Sequence, residues 1–126
     1  MNKTSLSDGE WKLMNLLWEE SPLTIGRMVK ALADDTAWSK STVNIMLRRL
    51  AEKGAVRIEE SAPAKLFYPI LQRDDAVEQE ARNTLARIST GSLGLLVSTM
   101  ARDCRLSDAE IEELYRILKE RGNDHA

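Results

Sequence analysis

Residues 38–57 read WSKSTVNIMLRRLAEKGAVR, and the rest of the chain is organised around that stretch. Ser39 is a residue type that caps a helix N-terminus through its side-chain oxygen, and Gly54 is the type that lets a helix leave through a left-handed C′ position. Between them Val43, Met46, Leu47 and Leu50 fall at i, i+3, i+4 and i+7, one apolar stripe of an amphipathic helix. With successive residues about 100° apart, Ser41, Asn44, Ile45 and Arg48 repeat that spacing on the opposite side. A hydroxyl, an amide, a branched apolar group and a guanidinium are the groups that hydrogen-bond to, or pack on, base edges in a major groove. The stretch predicts a helix with a core-facing back and a base-reading front.

Two helices are expected before it. Ser7-Asp-Gly-Glu10 has the S-x-x-E form of a capping box, and the helix it opens carries Trp11, Met14 and Trp18 on one stripe widened by Leu13, Leu16 and Leu17. Pro22 closes that helix. Thr24 then caps a short second one with Ile25, Met28, Val29 and Leu32 in register, and Asp34, Asp35 and Thr36 turn the chain toward Trp38. Gly26, inside the second helix, costs about 1 kcal/mol relative to alanine and predicts a close helix–helix approach. The three tryptophans are expected to be core residues rather than base-stacking platforms.

After Gly54 the period changes to two. Val56 and Ile58 alternate with Arg57 and Glu59, and Leu66, Tyr68 and Ile70 alternate with Phe67 and Pro69, around the turn segment 60–65. Three helices and a hairpin make a winged helix-turn-helix head, expected over residues 1–72. Residues 73–126 turn helical again. Val77, Ala81, Leu85 and Ile88 give a weak stripe, Gly91 and Gly94 interrupt it, and Leu93, Leu96, Val97 and Met100 give a better one. A second capping box, Ser107-Asp-Ala-Glu110, opens a last helix with Ile111, Leu114, Tyr115 and Leu118 on one face; Gly122 is expected to end it and residues 123–126 to fray. These helices have little chain to pack against, so their stripes predict a helical dimerisation arm. Folding back on the head is the competing expectation. The fold class is mainly α with a small β-hairpin.

The bulk numbers agree with a soluble binder. The chain has 126 residues, 43% hydrophobic and 30% charged, with a formal charge of −2. No run approaches the ~18 apolar residues of a membrane span, the first ten residues are too polar for a secretion signal, and one cysteine, Cys104, makes no internal disulfide. A cytoplasmic location follows as the expectation. The net charge hides a local imbalance: residues 36–58 carry five cations against one carboxylate, a local +4, whereas residues 73–126 carry eight against eleven, a local −3. A basic patch on an acidic protein suits a binder that must leave wrong DNA easily, although a solvated helix face can also be basic. An enzyme needs a nucleophile–base pair or clustered ligands. With one His, one Cys and only solvated acidic pairs (Asp34-Asp35, Glu59-Glu60, Asp74-Asp75), no catalytic residue, metal or cofactor is expected. Cys104 reads as an inert thiol before a redox sensor, and His125 lies in the tail.

Several segments together resemble the BlaI/MecI family of bacterial penicillinase and methicillin-resistance repressors, which also has copper-responsive members. They are Leu6 through Trp11 with Met14, Asn15, Leu17 and Trp18; then Trp38, Ser39, Thr42, Arg49, Leu50, Lys53 and Gly54; and the run LSDAEIEEL at 106–114. The similarity extends from about residue 6 to residue 120. It implies a homodimeric repressor that sits on inverted-repeat operator DNA until an inducing signal releases it. In the antibiotic-responsive members a sensor-linked protease cuts an Asn-Phe bond in the arm. The corresponding position here is Thr99-Met100, which departs in both residues; a cut elsewhere in the helix at 95–102 stays open. The copper-responsive members carry C-terminal cysteine pairs, which this chain lacks.

The roles expected of the residues follow. Ser41, Thr42, Asn44, Ile45 and Arg48 enter the major groove, with Arg48 suited to a guanine, Asn44 to an adenine and Ile45 to a thymine methyl. Thr42 points sideways and contacts the backbone equally well. Ser39, Lys40, Arg49 and Lys53 lie nearer phosphates, and the wing tip, Ala64 and Lys65, meets backbone or minor groove. Arg49 pairing with Glu52 or Glu20 is an equal alternative. Two rival readings remain open: a winged helix used only as a protein-interaction module, and a ligand-responsive regulator of the MarR type with a pocket between head and arm.

Overall fold

The computed structural model describes residues 5–61, 63–88 and 92–124, with side chains as far as Gly122. Its elements run α1 (Asp8–Glu19), α2 (Ile25–Ala31), α3 (Lys40–Glu52), β1 (Val56–Glu59), β2 (Leu66–Pro69), α4 (Arg73–Arg87), α5 (Leu93–Asp103) and α6 (Asp108–Asp124). The described chain divides into two compact units, one ending at Thr84 and the other beginning at Leu85. The mainly helical fold with one antiparallel hairpin matches the sequence reading. Gly91 and His125 lie outside the described residues.

Each head helix starts where its cap predicts. Ser7 Oγ accepts the Glu10 N–H at 3.2 Å while Glu10 Oε1 accepts the Ser7 N–H at 2.9 Å, which completes the capping box. Thr24 Oγ1 accepts from the Arg27 N–H and Ser39 Oγ from the Thr42 N–H, both at 3.2 Å. Helix α3 leaves through Gly54 at φ +80°. There the Ala55 N–H reaches Leu50 O at 2.8 Å and the Gly54 N–H reaches Ala51 O at 3.0 Å. This is the paired 6→1 and 5→2 arrangement of a Schellman stop, and Ala55 is buried with Leu50 beneath it.

β1 and β2 pair antiparallel with Arg57 opposite Tyr68 and Ile58 opposite Phe67. In the uniformly apolar run of β2, the residue turned to the core is Phe67, 1% exposed, while Leu66 and Tyr68 are half-buried. A single bridge, invisible to any periodicity, adds Leu23 to the sheet: Phe67 N–H to Leu23 O at 2.9 Å and Leu23 N–H to Phe67 O at 3.2 Å. The Trp18 indole N–H donates to Leu71 O at 2.9 Å, which ties α1 to the chain after β2. Trp11 meets Trp18 edge-on at 5.9 Å, and both, with Trp38, are partly buried against the core. Leu13, Met14, Met28, Val43, Leu47 and Leu50 are wholly buried between the three helices.

The glycines correct three expectations. Nothing lies within 4 Å of a Cβ built at Gly26, so no neighbouring helix requires it. The close approach is at Gly9, where a Cβ would stand 2.5 Å from Met46 Cε and 3.2 Å from Trp38 Cη2. Gly94 lies in the first turn of α5 and does not interrupt it, and Gly122 lies inside α6, which runs on to Asp124. A solvated helix tolerates such a glycine because its cost, about 1 kcal/mol, is small beside the rest of the helix.

Candidate nucleic-acid interface

The stripe that opens α3 to the core leaves its other side to solvent. Lys40, Ser41, Thr42, Ile45, Arg48 and Arg49 are exposed and Asn44 is half-buried; Ile45 shows 52% of its surface. A branched apolar side chain that exposed has no packing reason to be there. Among the described residues, the side chains of Lys40, Ser41, Asn44, Arg48 and Arg49 are engaged in no hydrogen bond or ion pair. Glu20, one suggested partner for Arg49, instead lies 3.6 Å from Arg27. Thr42 Oγ1 accepts from Ser39 Oγ at 3.2 Å, so these two hydroxyls already serve the cap.

The wing comes to the same place. Thr24, Ile25 and Gly26 at the start of α2, Lys40, Ser41 and Asn44 on α3, and Ala64 and Lys65 at the wing tip line one open concavity of about 600 Å³. The beginning of α2 was legible in the sequence only as a cap, and its place beside the outward face of α3 was not. Gly26, without a Cβ, keeps that wall low. Lys65 is 3.8 Å from Glu60, a loose pair that leaves the ammonium available. The hairpin's outer face is ordered by Arg57, whose guanidinium stacks 4.2 Å over the Tyr68 ring and lies 3.6 Å from Glu59. Glu59 is held below the usual carboxylate range by the Ser61 hydroxyl at 2.7 Å and then the Ser61 N–H at 3.1 Å.

Lys53 is placed differently from the expectation that it meets phosphate. Its ammonium donates to Glu10 Oε1 at 2.5 Å and to Ser5 O at 2.9 Å. The Glu10 side chain is 5% exposed. Burial pushes the Glu10 carboxyl up, but the hydrogen bonds from Lys53 and Ser7 and the Lys53 charge outweigh it and leave the group below its ordinary value. Lys53 therefore has protein partners in the head while its side chain stays 31% exposed.

In the second unit, Leu93, Val97, Met100, Ile111, Leu114, Tyr115 and Leu118 are 40–68% exposed, and Leu96 is half-buried. Thr99 and Met100 lie on exposed turns of α5. Cys104, at the C-terminal cap of α5, is a free exposed thiol. Among the described residues no helix is long and apolar enough to cross a membrane.

Residues 6–120 match the family model of the penicillinase repressor, nearly the whole chain. The chain belongs to the penicillinase repressor family. It is 31% identical over 118 residues to the penicillinase repressor of Bacillus licheniformis, covering 94% of this chain and 92% of that one. It is 26% identical over 121 residues to the methicillin resistance regulatory protein MecI of Mammaliicoccus sciuri, covering 95% and 98%. The solution structure of the DNA-binding domain of the repressor BlaI superposes with a TM-score of 0.50 at 28% identity, over 56% of this chain and 85% of that domain. This penicillinase-repressor homologue is a DNA-binding transcriptional repressor with a winged-helix head.

Proposed function

We propose that the chain represses transcription as a homodimer, with one winged head on each half of an inverted repeat and the helices beyond residue 72 as the dimerisation arm. The observation that carries this reading is the outward face of α3, where basic and amide side chains with no polar partner among the described residues surround an exposed isoleucine. Arg48, Asn44, Ile45 and Ser41 read base edges, Arg48 as a fork onto a guanine. Lys40, Arg49 and Lys65 take phosphates, with Ser39 and Thr42 beside them, and a backbone segment of the duplex occupies the concavity between α2, α3 and the wing. Two-fold symmetry then requires half-sites about 34–36 Å apart, or a multiple of that. Such a repressor works in the bacterial cytoplasm, where the operator is. A sensor-linked protease cutting α5 near Thr99 and Met100 would end repression by severing part of the arm.

Footprinting on the chain's own upstream region yields the operator, and Arg48→Ala then tests the reading. The cognate site should lose about 1–3 kcal/mol and scrambled duplex much less. Equal losses on both would reduce Arg48 to a phosphate contact. Affinity for random duplex should fall steeply as salt rises, with a log–log slope of about −0.9 per phosphate neutralised; a flat response would make the winged head a protein-interaction module.

A further inference from the structure

We propose that Lys53 is a positioning residue for DNA reading: with Glu10 and the Ser5 carbonyl it latches the exit of α3 onto the entry of α1 and so fixes the pose of the base-reading face. The inference rests on the DNA-binding role and concerns how the recognition helix is held. Its basis is a division of labour among the cations of α3 and its cap. Lys40, Arg48 and Arg49 are exposed and have no polar side-chain partner among the described residues, whereas Lys53 turns inward onto a nearly buried carboxylate. Glu10 Oε1 accepts from two donors at once, the Ser7 N–H and the Lys53 ammonium. The same carboxylate therefore closes the capping box of α1 and receives the end of α3. The Ser5 carbonyl takes a second Lys53 proton, which adds the segment before α1 to the joint.

The geometry explains why this matters for reading. A 13-residue helix is about 20 Å long, and α3 is gripped at both ends. At its start Trp38, with Met46 further along, packs against Gly9 of α1. At its end the chain reverses through Gly54, and the latch lies one residue before that reversal. Bidentate base contacts tolerate displacements of about 0.5 Å, so even a small tilt of α3 about its buried stripe would keep the fold and lose the aim. Lys53 also places positive charge where the helix dipole is negative.

Four variants separate the possibilities: Lys53→Gln, Glu10→Gln, the double substitution, and Lys53→Arg. Each is measured on random duplex and on the inverted repeat recovered by selection from a random pool, with the folded fraction followed by circular dichroism. The latch predicts that Lys53→Gln leaves the salt slope on random duplex unchanged while the cognate-to-random affinity ratio falls about tenfold. Glu10→Gln should lower that ratio equally, the double variant should be no worse than either single, and Lys53→Arg should restore most of it. A slope flattened by about 0.9 in Lys53→Gln, with Glu10→Gln binding as tightly as the parent, would make Lys53 a phosphate contact and overturn the proposal. So would an unchanged ratio in the folded variants, which would make the pair purely structural. If Lys53→Gln does not fold, Glu10→Gln and Lys53→Arg decide between the same outcomes. A parent chain that binds no DNA would instead refute the reading on which the latch depends.

Discussion

The two units treat equally good amphipathic sequences in opposite ways. In the head, the stripe of α3 is closed over by α1, α2 and the hairpin, and Val43, Leu47 and Leu50 keep no exposed surface. In α5 and α6, stripes just as regular are left open, with Leu118 63% and Met100 53% exposed. Periodicity shows that a face exists and says nothing of what covers it. Each leucine-sized side chain left in water forgoes about 1.5–3 kcal/mol. The head closes over its own core, whereas α5 and α6 leave their stripes exposed.

Substitutions in the two units test this contrast. Phe67→Ala removes the largest buried side chain of the head and should cost about 3–5 kcal/mol of unfolding free energy, read as a lower urea midpoint that does not depend on protein concentration. Placing aspartates at Leu114 and Leu118 should leave the head's folding intact and halve the mass by sedimentation equilibrium. Affinity for a full palindrome should then fall a hundredfold or more while half-site binding is kept; a dimer that survives would mean the open stripe has another partner. Glu10→Gln should cost about 1.5–3 kcal/mol at neutral pH, the range for a hydrogen bond to a charged group. Because the folded Glu10 carboxyl titrates below its unfolded value, its contribution is present above about pH 4.3 and is lost as the pH falls through the folded value. The difference between parent and variant should therefore shrink on acidification, and a constant difference would contradict the assignment. Ala37 adopts φ +55° in the turn before α3. Ala37→Val should lower stability by about 1–2 kcal/mol, because a β-branched residue resists that conformation, while Ala37→Gly should not. The smallest effect belongs to the fully solvated Arg116 pairs with Glu113 and Glu120, whose removal should leave the melting midpoint unchanged.

Short-range chemistry was legible in the sequence because its partners are neighbours in the chain. Both capping boxes, the Thr24 and Ser39 caps and the left-handed exit at Gly54 stand where residue types alone placed them. The family resemblance, carried by the two Ser-Asp-x-Glu runs and the tryptophans, is confirmed. Long-range pairing was not legible. Glu10 looks like an ordinary capping carboxylate until Lys53 arrives from 43 residues away. The core-facing residue of β2 could not be read from a run in which every neighbour is apolar. Gly9 was hidden because a glycine beside a cap has a local excuse, and Gly26 drew attention to an approach that does not occur.

The bridge between Leu23 and Phe67 is one residue wide, yet it fastens the strand that carries the wing to the backbone leading into α2. Two reciprocal hydrogen bonds join the hairpin to the helix pair as one tool. Little orientational freedom is then left to surrender when the tool meets a duplex, so association should involve almost no internal rearrangement of the head. Loosening that bridge would slow productive docking even if every residue that touches DNA were left intact.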